Sequence, residues 1–249
     1  MPPSQLRPIL MYHSISRSPH DCFGVCTSPE RFEAHMRHLK RCGVRGVSMR
    51  QLLRATSLGE AKSLVGLTFD DGYKDFLHNA LPVLERFNFS ATLFSLGSIP
   101  RENYWDYRYN PDLQLKLLEA EDLREIVARG IEVGSHGMDH VDLTCMAPEV
   151  LKKDLSDSRQ VLSKLVGEEI EGFCYPYGSV DSMVVQAVRR AGYSYACSIE
   201  IQVKRNTFDL PRIPIGDRDG FLRFALKLKY YSQWRTATKI LQRASAWRT

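Results

Sequence analysis

The feature that most restricts what this chain can fold into is an alternation. Short apolar runs of strand character alternate with longer amphipathic runs of helical character, about six or seven times along the chain. Strands separated by helices run parallel, because each helix carries the chain back across the sheet. A closed (β/α) barrel and an open doubly wound sheet both satisfy that pattern. In both, chemistry gathers at the carboxyl ends of the strands, so the residues just past each strand are the ones to read.

Arg7 to Tyr12 (RPILMY) reads as the first strand. Ser28 is placed to cap a helix with Pro29 in its first turn and Gly43 at its end, and Phe32, Met36 and Leu39 share one face of it. Leu64 to Phe69 (LVGLTF) is apolar throughout, as expected for a strand covered on both sides. Lys74 to Phe87 is helical in pattern, with Pro82 expected to kink or divide it. Further strands are expected at 91–96, 131–134, 172–175, 195–198 and 210–213, and further helices at 121–129, 148–166 and 181–190. Residues 98–118 are polar and aromatic and read as an insertion over one rim.

Charge is uneven. Residues 221–249 hold seven of the 34 Lys and Arg and no acid, which leaves 27 basic against 29 acidic side chains in residues 1–220. The chain is therefore divided into a domain over 1–220 and a basic, helical C-terminal tail over 221–249. That tail is a solvated helix or a segment that touches anionic lipid. No nucleic-acid partner is expected. Six cysteines (Cys22, Cys26, Cys42, Cys145, Cys174, Cys197) form no CxxC pair, so free thiols in a reducing compartment are expected. The first residues show no long apolar run after a basic start. A cytoplasmic location is expected, with no membrane span.

Four stretches carry chemistry. Asp70 and Asp71 follow the LVGLTF strand, where two adjacent carboxylates repel and a cation would relieve the repulsion. Asp71 could equally cap the next helix. After the IEVG run come Ser135-His136-Gly137-Met138-Asp139-His140; two histidines at i and i+4 share a face of a helical turn, a spacing found at zinc sites. One carboxylate with two imidazoles leaves coordination positions open for water and substrate. Tyr175-Pro176-Tyr177-Gly178 is a rigid turn, and the N–H just after Pro176 could serve as an oxyanion donor. His13 closes the first strand at the same rim.

Together, LTFDDGY at 67–73, SHGMDH at 135–140 and FCYPYG at 173–178 resemble the polysaccharide deacetylases, metal-dependent carbohydrate esterases. The resemblance implies a distorted (β/α) barrel of about seven parallel strands. It implies Asp70 as general base, Asp71, His136 and His140 as metal ligands, and the Tyr177 N–H as oxyanion donor. It implies a divalent metal: zinc first, with cobalt, nickel or manganese acceptable to the same set. Many members carry an Arg two residues before the Pro of the third motif, where it braces the base. Cys174 stands there in this chain, and Arg212, in LPRIPI, is the candidate replacement. Arg212 and Tyr175 are also candidate substrate-binding residues. No histidine follows His140, so the family's late Leu-x-His acid is missing. The MYHSIS opening is similar to the biofilm poly-N-acetylglucosamine deacetylases, which implies His13 as the acid. Gly137 replaces the usual Ser or Thr after the first metal histidine.

The expected activity is removal of an N-acetyl group from an amino sugar that is nucleotide-linked, lipid-linked or part of a glycosylated metabolite. The aromatic residues Tyr104, Trp105, Tyr107 and Tyr109 would offer rings for that sugar to stack on. Hydrolysis of a cyclic imide or ureide would use the same metal and base. A non-catalytic sugar-binding relative would keep the fold alone. Peripheral contact with the inner membrane surface through residues 221–249 is a further expectation.

Overall fold

The computed structural model describes residues 7–17, 21, 23–105, 114–199 and 206–229. Tyr107, Tyr109, Cys22 and residues 230–249 lie outside that range. Five strands come first: β1 (Ile9–Tyr12), β2 (Arg45–Val47), β3 (Leu64–Phe69), β4 (Thr92–Ser95) and β5 (Glu132–Ser135). β6 (Gly172–Cys174), β7 (Tyr195–Ser198), β8 (Leu210–Pro211) and β9 (Ile213–Pro214) complete the set. Every strand pairing is parallel.

The pairing runs β1–β3–β4–β5–β6–β7–β8, and β9 returns to β1. Only Arg212 separates β8 from β9, so one short segment joins both edges and nearly closes a barrel. Counted as one strand, that segment makes eight strands, one more than expected. The addition is β2, which pairs with β3 outside the ring. Three residues are too few to show an alternation. The helix that follows, α2 (Met49–Ser57), also went unpredicted, although its capping box is visible: Ser48 accepts from the Gln51 N–H and the Gln51 side chain reaches back to Ser48.

Local chemistry explains the other helices. α1 (Pro29–Arg41) buries Phe32, Met36 and Leu39 as its pattern implies. Ser28 makes no cap bond; its hydroxyl donates to Asp217 instead, tying α1 to the loop before the last helix. Pro82 divides the next helical stretch into a π-helical turn (Phe76–Ala80) and α3 (Leu81–Phe87), where it sits in the first turn and needs no N–H partner. α4 (Ala120–Ala128), α5 (Pro148–Val166) and α6 (Ser182–Arg190) follow β4, β5 and β6. Inside, Tyr12, Phe32, Phe69 and Phe76 form one aromatic cluster with centroids 4.8–5.7 Å apart. Each such buried ring stabilises by roughly 2–3 kcal/mol, which holds the β1 and β3 ends firmly.

Of the expected basic helical segment over 221–249, only residues 221–229 are described. α7 (Phe221–Lys229) docks on α1: Phe224 is buried and stacks on His35 at 4.1 Å. Lys227 Nζ donates to the Pro214 carbonyl and to Asp219, each at 2.7 Å.

Candidate active site and metal centre

The β3 end supplies two carboxylates pointing to different tasks. The Asp70 N–H continues the ladder by donating to the Tyr12 carbonyl at 3.0 Å. Asp71 then turns into the left-handed region at φ 72°, followed by Gly72 at φ 75°. For a residue with a Cβ that conformation costs about 1–2 kcal/mol, and the turn separates the two side chains. Asp71 is not a helix cap, since helical structure begins only at Phe76.

The β5 end supplies His136, whose N–H donates to Ser95 O at 2.8 Å. Its Nδ1 lies 2.8 Å from the Cys174 carbonyl. A carbonyl only accepts, so Nδ1 carries the proton and Nε2 presents its lone pair to the site. His140 does not follow on a helical turn as the i, i+4 spacing suggested. Gly137 at φ 85° breaks the turn, and residues 136–142 form an irregular loop. That loop is fixed without the family's hydroxyl after His136. Gly97 N–H donates to Gly137 O at 2.8 Å, Ser98 N–H to Met138 O at 3.0 Å, and Met138 N–H to the buried Asp154 carboxylate. Burial lifts the Asp154 carboxyl to about 6, against the pull of the Met138 N–H.

Asp71, His136 and His140 meet. Asp71 Oδ1 is 3.1 Å from His136 Nε2 and 3.4 Å from His140 Nε2, and all three side chains are buried. Asp71 Oδ1 nevertheless makes no hydrogen bond. A buried carboxylate oxygen left unbonded between two imidazole nitrogens is costly unless a cation completes it. This O,N,N set fits a divalent ion such as zinc. Burial pushes the Asp71 carboxyl up, but the two imidazoles outweigh it and hold it well below the ordinary range. Burial pushes His136 down, but Asp71 more than offsets it, so protons compete for this ligand.

Asp70 lies beside the trio. Arg212 grips it with both arms, Nη1 to Oδ1 at 2.6 Å and Nη2 to Oδ2 at 2.7 Å. Arg212 also donates to Thr68 Oγ1 at 3.1 Å and Ser198 O at 3.3 Å, and its Nη2 lies 3.0 Å from Cys174 Sγ. Burial drives the Asp70 carboxyl up, but the guanidinium beside it brings it below the ordinary carboxylate range. His13 Nε2 stands 3.9 Å from Asp70 Oδ2, partly exposed. Asp70, His136 and Cys174 also lie near one another. Both Asp70 oxygens are taken by Arg212, and burial pushes the Cys174 thiol well up, so this second trio does not compare with the first as a metal site.

Arg212 and Tyr175, the two candidate substrate-binding residues, both line the cleft. Arg212 is buried and holds Asp70, Thr68, Ser198 and Cys174, which makes it the brace of the carboxylate that the missing motif arginine would have been. Tyr175 borders the cleft, but its ring is buried 5.4 Å from Phe173 and its hydroxyl donates to Phe208 O at 2.7 Å, so it supports the turn. Tyr177 is the exposed ring, at 55%. It takes φ 57°, packs edge-on to His140 at 4.4 Å and donates its hydroxyl to His140 O.

Sequence reasoning also missed two supports. Trp105, from the aromatic insertion, stacks on His140 at 4.3 Å, and Tyr104 accepts from the His140 N–H. Asp75 receives Ser14 Oγ at 2.6 Å and the Ile15 N–H at 2.7 Å, which pins the segment after His13. The acid two residues past Tyr73 gave a signal for the second; nothing in the insertion marked Trp105 apart from its neighbours. His13, Asp70, Asp71, His136, His140, Trp105 and Tyr177 all line one cavity of about 820 Å³.

Comparison with known proteins takes in Asp70, Asp71, His136, His140, Cys174 and Tyr177, while His13 and Arg212 lie outside the family match. The family model for polysaccharide deacetylase matches residues 59–196. A Bacillus subtilis (strain 168) protein named as a polysaccharide deacetylase is 28% identical over 196 residues, covering 78% of this chain and 64% of that protein. The poly-β-1,6-N-acetyl-D-glucosamine N-deacetylase of Staphylococcus aureus (strain MRSA252) is 26% identical over 208 residues, covering 78% of this chain and 69% of that one. The chain thus spans about two thirds of the length of these relatives. Among solved structures, the Streptococcus pyogenes deacetylase PplD in complex with acetate superposes with TM-score 0.75 at 24% identity, covering 89% of this chain and 97% of that one. At that identity the superposition shows a shared fold.

Proposed function

Since the chain belongs to the polysaccharide deacetylase family, we propose that it is a metal-dependent hydrolase removing N-acetyl groups from an amino-sugar saccharide. The observation that carries this reading is the unbonded, buried Asp71 oxygen between His136 and His140, with the braced Asp70 beside it in the same cavity. When bound, a divalent cation polarises the acetyl carbonyl and lowers the pKa of water from ~15.7 toward ~7.

The chain's own residues supply the rest. Asp70, kept ionised by Arg212, takes the proton of the attacking water. The Tyr177 N–H donates to the developing oxyanion. His13 protonates the leaving amine, which is too basic to depart as an anion. Trp105 and Tyr177 wall the sugar. Among the described residues lining the cavity, Arg212 is the only Lys or Arg, and it is spent on Asp70. No lysine or arginine of that lining is left to meet a diphosphate, which favours a free or polymeric saccharide over a sugar carried on a diphosphate, whether nucleotide- or lipid-linked. The substrate in the name of the Staphylococcus aureus relative supports an N-acetylglucosamine unit. A reducing, cytoplasmic setting, the one the cysteine usage suggests, is part of this proposal.

The test is acetate release from N-acetylglucosamine oligosaccharides, cyclic imides and a nucleotide-linked N-acetyl sugar, followed by mass spectrometry for loss of an acetyl group. Release from the oligosaccharides alone, stopped by a chelator, is expected. Turnover confined to the imides would overturn the reading. His13→Ala is expected to slow release by about 10²-fold with the metal retained. A silent His13→Ala would move the acid elsewhere.

A further inference from the structure

Asp75 stands immediately before the π-helical turn, where an aspartate ordinarily accepts from the first N–H groups of its own helix. It makes no such bond. Both of its oxygens reach instead to the segment that leaves β1. Oδ2 accepts the Ser14 hydroxyl at 2.6 Å, and Oδ1 accepts the Ile15 N–H at 2.7 Å. Ser14 has a single hydroxyl proton, and the carboxylate takes it.

The segment so held is fixed at every backbone polar group. Ser14 N–H donates to Val25 O at 3.1 Å, and Ser14 O accepts the Thr27 N–H at 2.9 Å. Asn79, one turn past Asp75, donates its side-chain amide to Ile15 O at 2.8 Å. With Asp75 on the Ile15 N–H, residues 14 and 15 have all four groups satisfied, and the Ile15 side chain is fully buried. They are held as firmly as a strand.

His13 lies between two ties to one stretch of chain. Before it, Tyr12 O accepts the Asp70 N–H at 3.0 Å. After it, Ser14 and Ile15 hang on Asp75. The stretch from Asp70 to Asp75 thus carries the base, a metal ligand and the clamp on the residue that faces the base. The His13 ring itself is partly exposed, with Nε2 3.9 Å from Asp70 Oδ2 and no hydrogen bond among the described residues. Its place is therefore set by its backbone. Proton transfer needs hydrogen-bond reach, and an error of about 1 Å can cost about 10²-fold in rate. Asp75 does not line the cavity, so it acts on the reaction only through His13.

We propose that Asp75 is a positioning residue for the leaving-group proton, holding the His13 backbone through Ser14 and Ile15 so that the ring meets the departing amine. This rests on His13 being the acid of the deacetylase proposed above.

The experiment uses the full chain with its metal and two substrates. Asp75→Ala is expected to slow acetate release from an N-acetylglucosamine oligosaccharide at least about tenfold, in kcat rather than KM, with the metal retained. From 4-nitrophenyl acetate a phenolate departs without needing a proton, so its hydrolysis should stay within about twofold. In a His13→Ala background, Asp75→Ala should add less than about twofold, because its effect passes through a ring already removed. Asp75→Asn keeps a carbonyl oxygen for the Ile15 N–H and should restore most of the rate. Ser14→Ala removes one of the two bonds and should give a smaller loss with the same selectivity for the amide. It takes the place of Asp75→Ala if that variant does not fold.

A merely structural Asp75 would slow both substrates alike and multiply with His13→Ala; either result overturns the proposal. So does full amide turnover in Asp75→Ala. A silent His13→Ala overturns it as well, since no acid is then held, while the deacetylase reading stands. The crystal structure of Asp75→Ala, or of Ser14→Ala, is read without turnover. His13 Nε2 should shift by about 1 Å or more relative to Asp70. An unmoved ring sinks the clamp whether or not a saccharide is hydrolysed, and a wild type that releases no acetate sinks the deacetylase reading alone.

Discussion

Asp70→Asn is expected to lower acetate release by about 10³-fold or more while the protein keeps its metal. The substitution preserves shape but leaves no group able to take the proton of water. Asp70 is not one of the three side chains whose nitrogen and oxygen atoms converge, so the ligand set stays whole. A loss of metal in this variant would mean that Asp70 belongs to the ligand set. Activity within tenfold of wild type would mean that another group is the base.

Arg212→Met should damage both stability and rate. The side chain is buried and holds both oxygens of a buried carboxylate. Removing one partner of such a pair typically costs about 3–5 kcal/mol, because the other charge stays behind without compensation. Asp70 sits below its unfolded pKa in the native protein, so the pair contributes stability above the carboxylate range and loses it as pH falls. With methionine in place, burial acts unopposed and lifts the Asp70 carboxyl. The variant's stability should then fall as pH rises, and the acid limb of its rate profile should move to higher pH. Urea unfolding at several pH values, with acetate release measured alongside, checks both. Arg212→Lys should recover only part of the loss, since an ammonium cannot reproduce the two-armed grip. Wild-type stability and an unmoved acid limb in Arg212→Met would remove Arg212 from the machinery.

The parts of this site that were legible in sequence are those with a local signature. An apolar strand ending in Asp70-Asp71, and a second run ending in His136 and His140, both announce a rim by their abrupt change of character. The resemblance joined them; the spacing of the histidines alone suggested a helical turn that Gly137 at φ 85° does not permit. Arg212 was harder to place. It lies 142 residues from Asp70 and between two strands of two residues each, where periodicity carries no information. Its reach to Asp70 follows from barrel closure, a property of the whole ring. Tyr175 was ambiguous in the opposite way, since a ring beside a rigid turn reads as a contact surface whether its hydroxyl faces the cleft or, as here, donates to Phe208 O. The burial of Phe224 against His35 was not legible, because the positive charge of its neighbours dominates the reading of residues 221–249.

The central claim is that Asp71, His136 and His140 hold one cation next to Asp70. Metal content of the purified chain, by plasma mass spectrometry after dialysis, tests it directly. One divalent ion per chain is expected in the wild type and in Asp70→Asn, with loss of the ion in His136→Ala and in Asp71→Ala. A wild type free of metal even after incubation with zinc, cobalt, nickel and manganese, or ligand variants that keep a full equivalent, would contradict it.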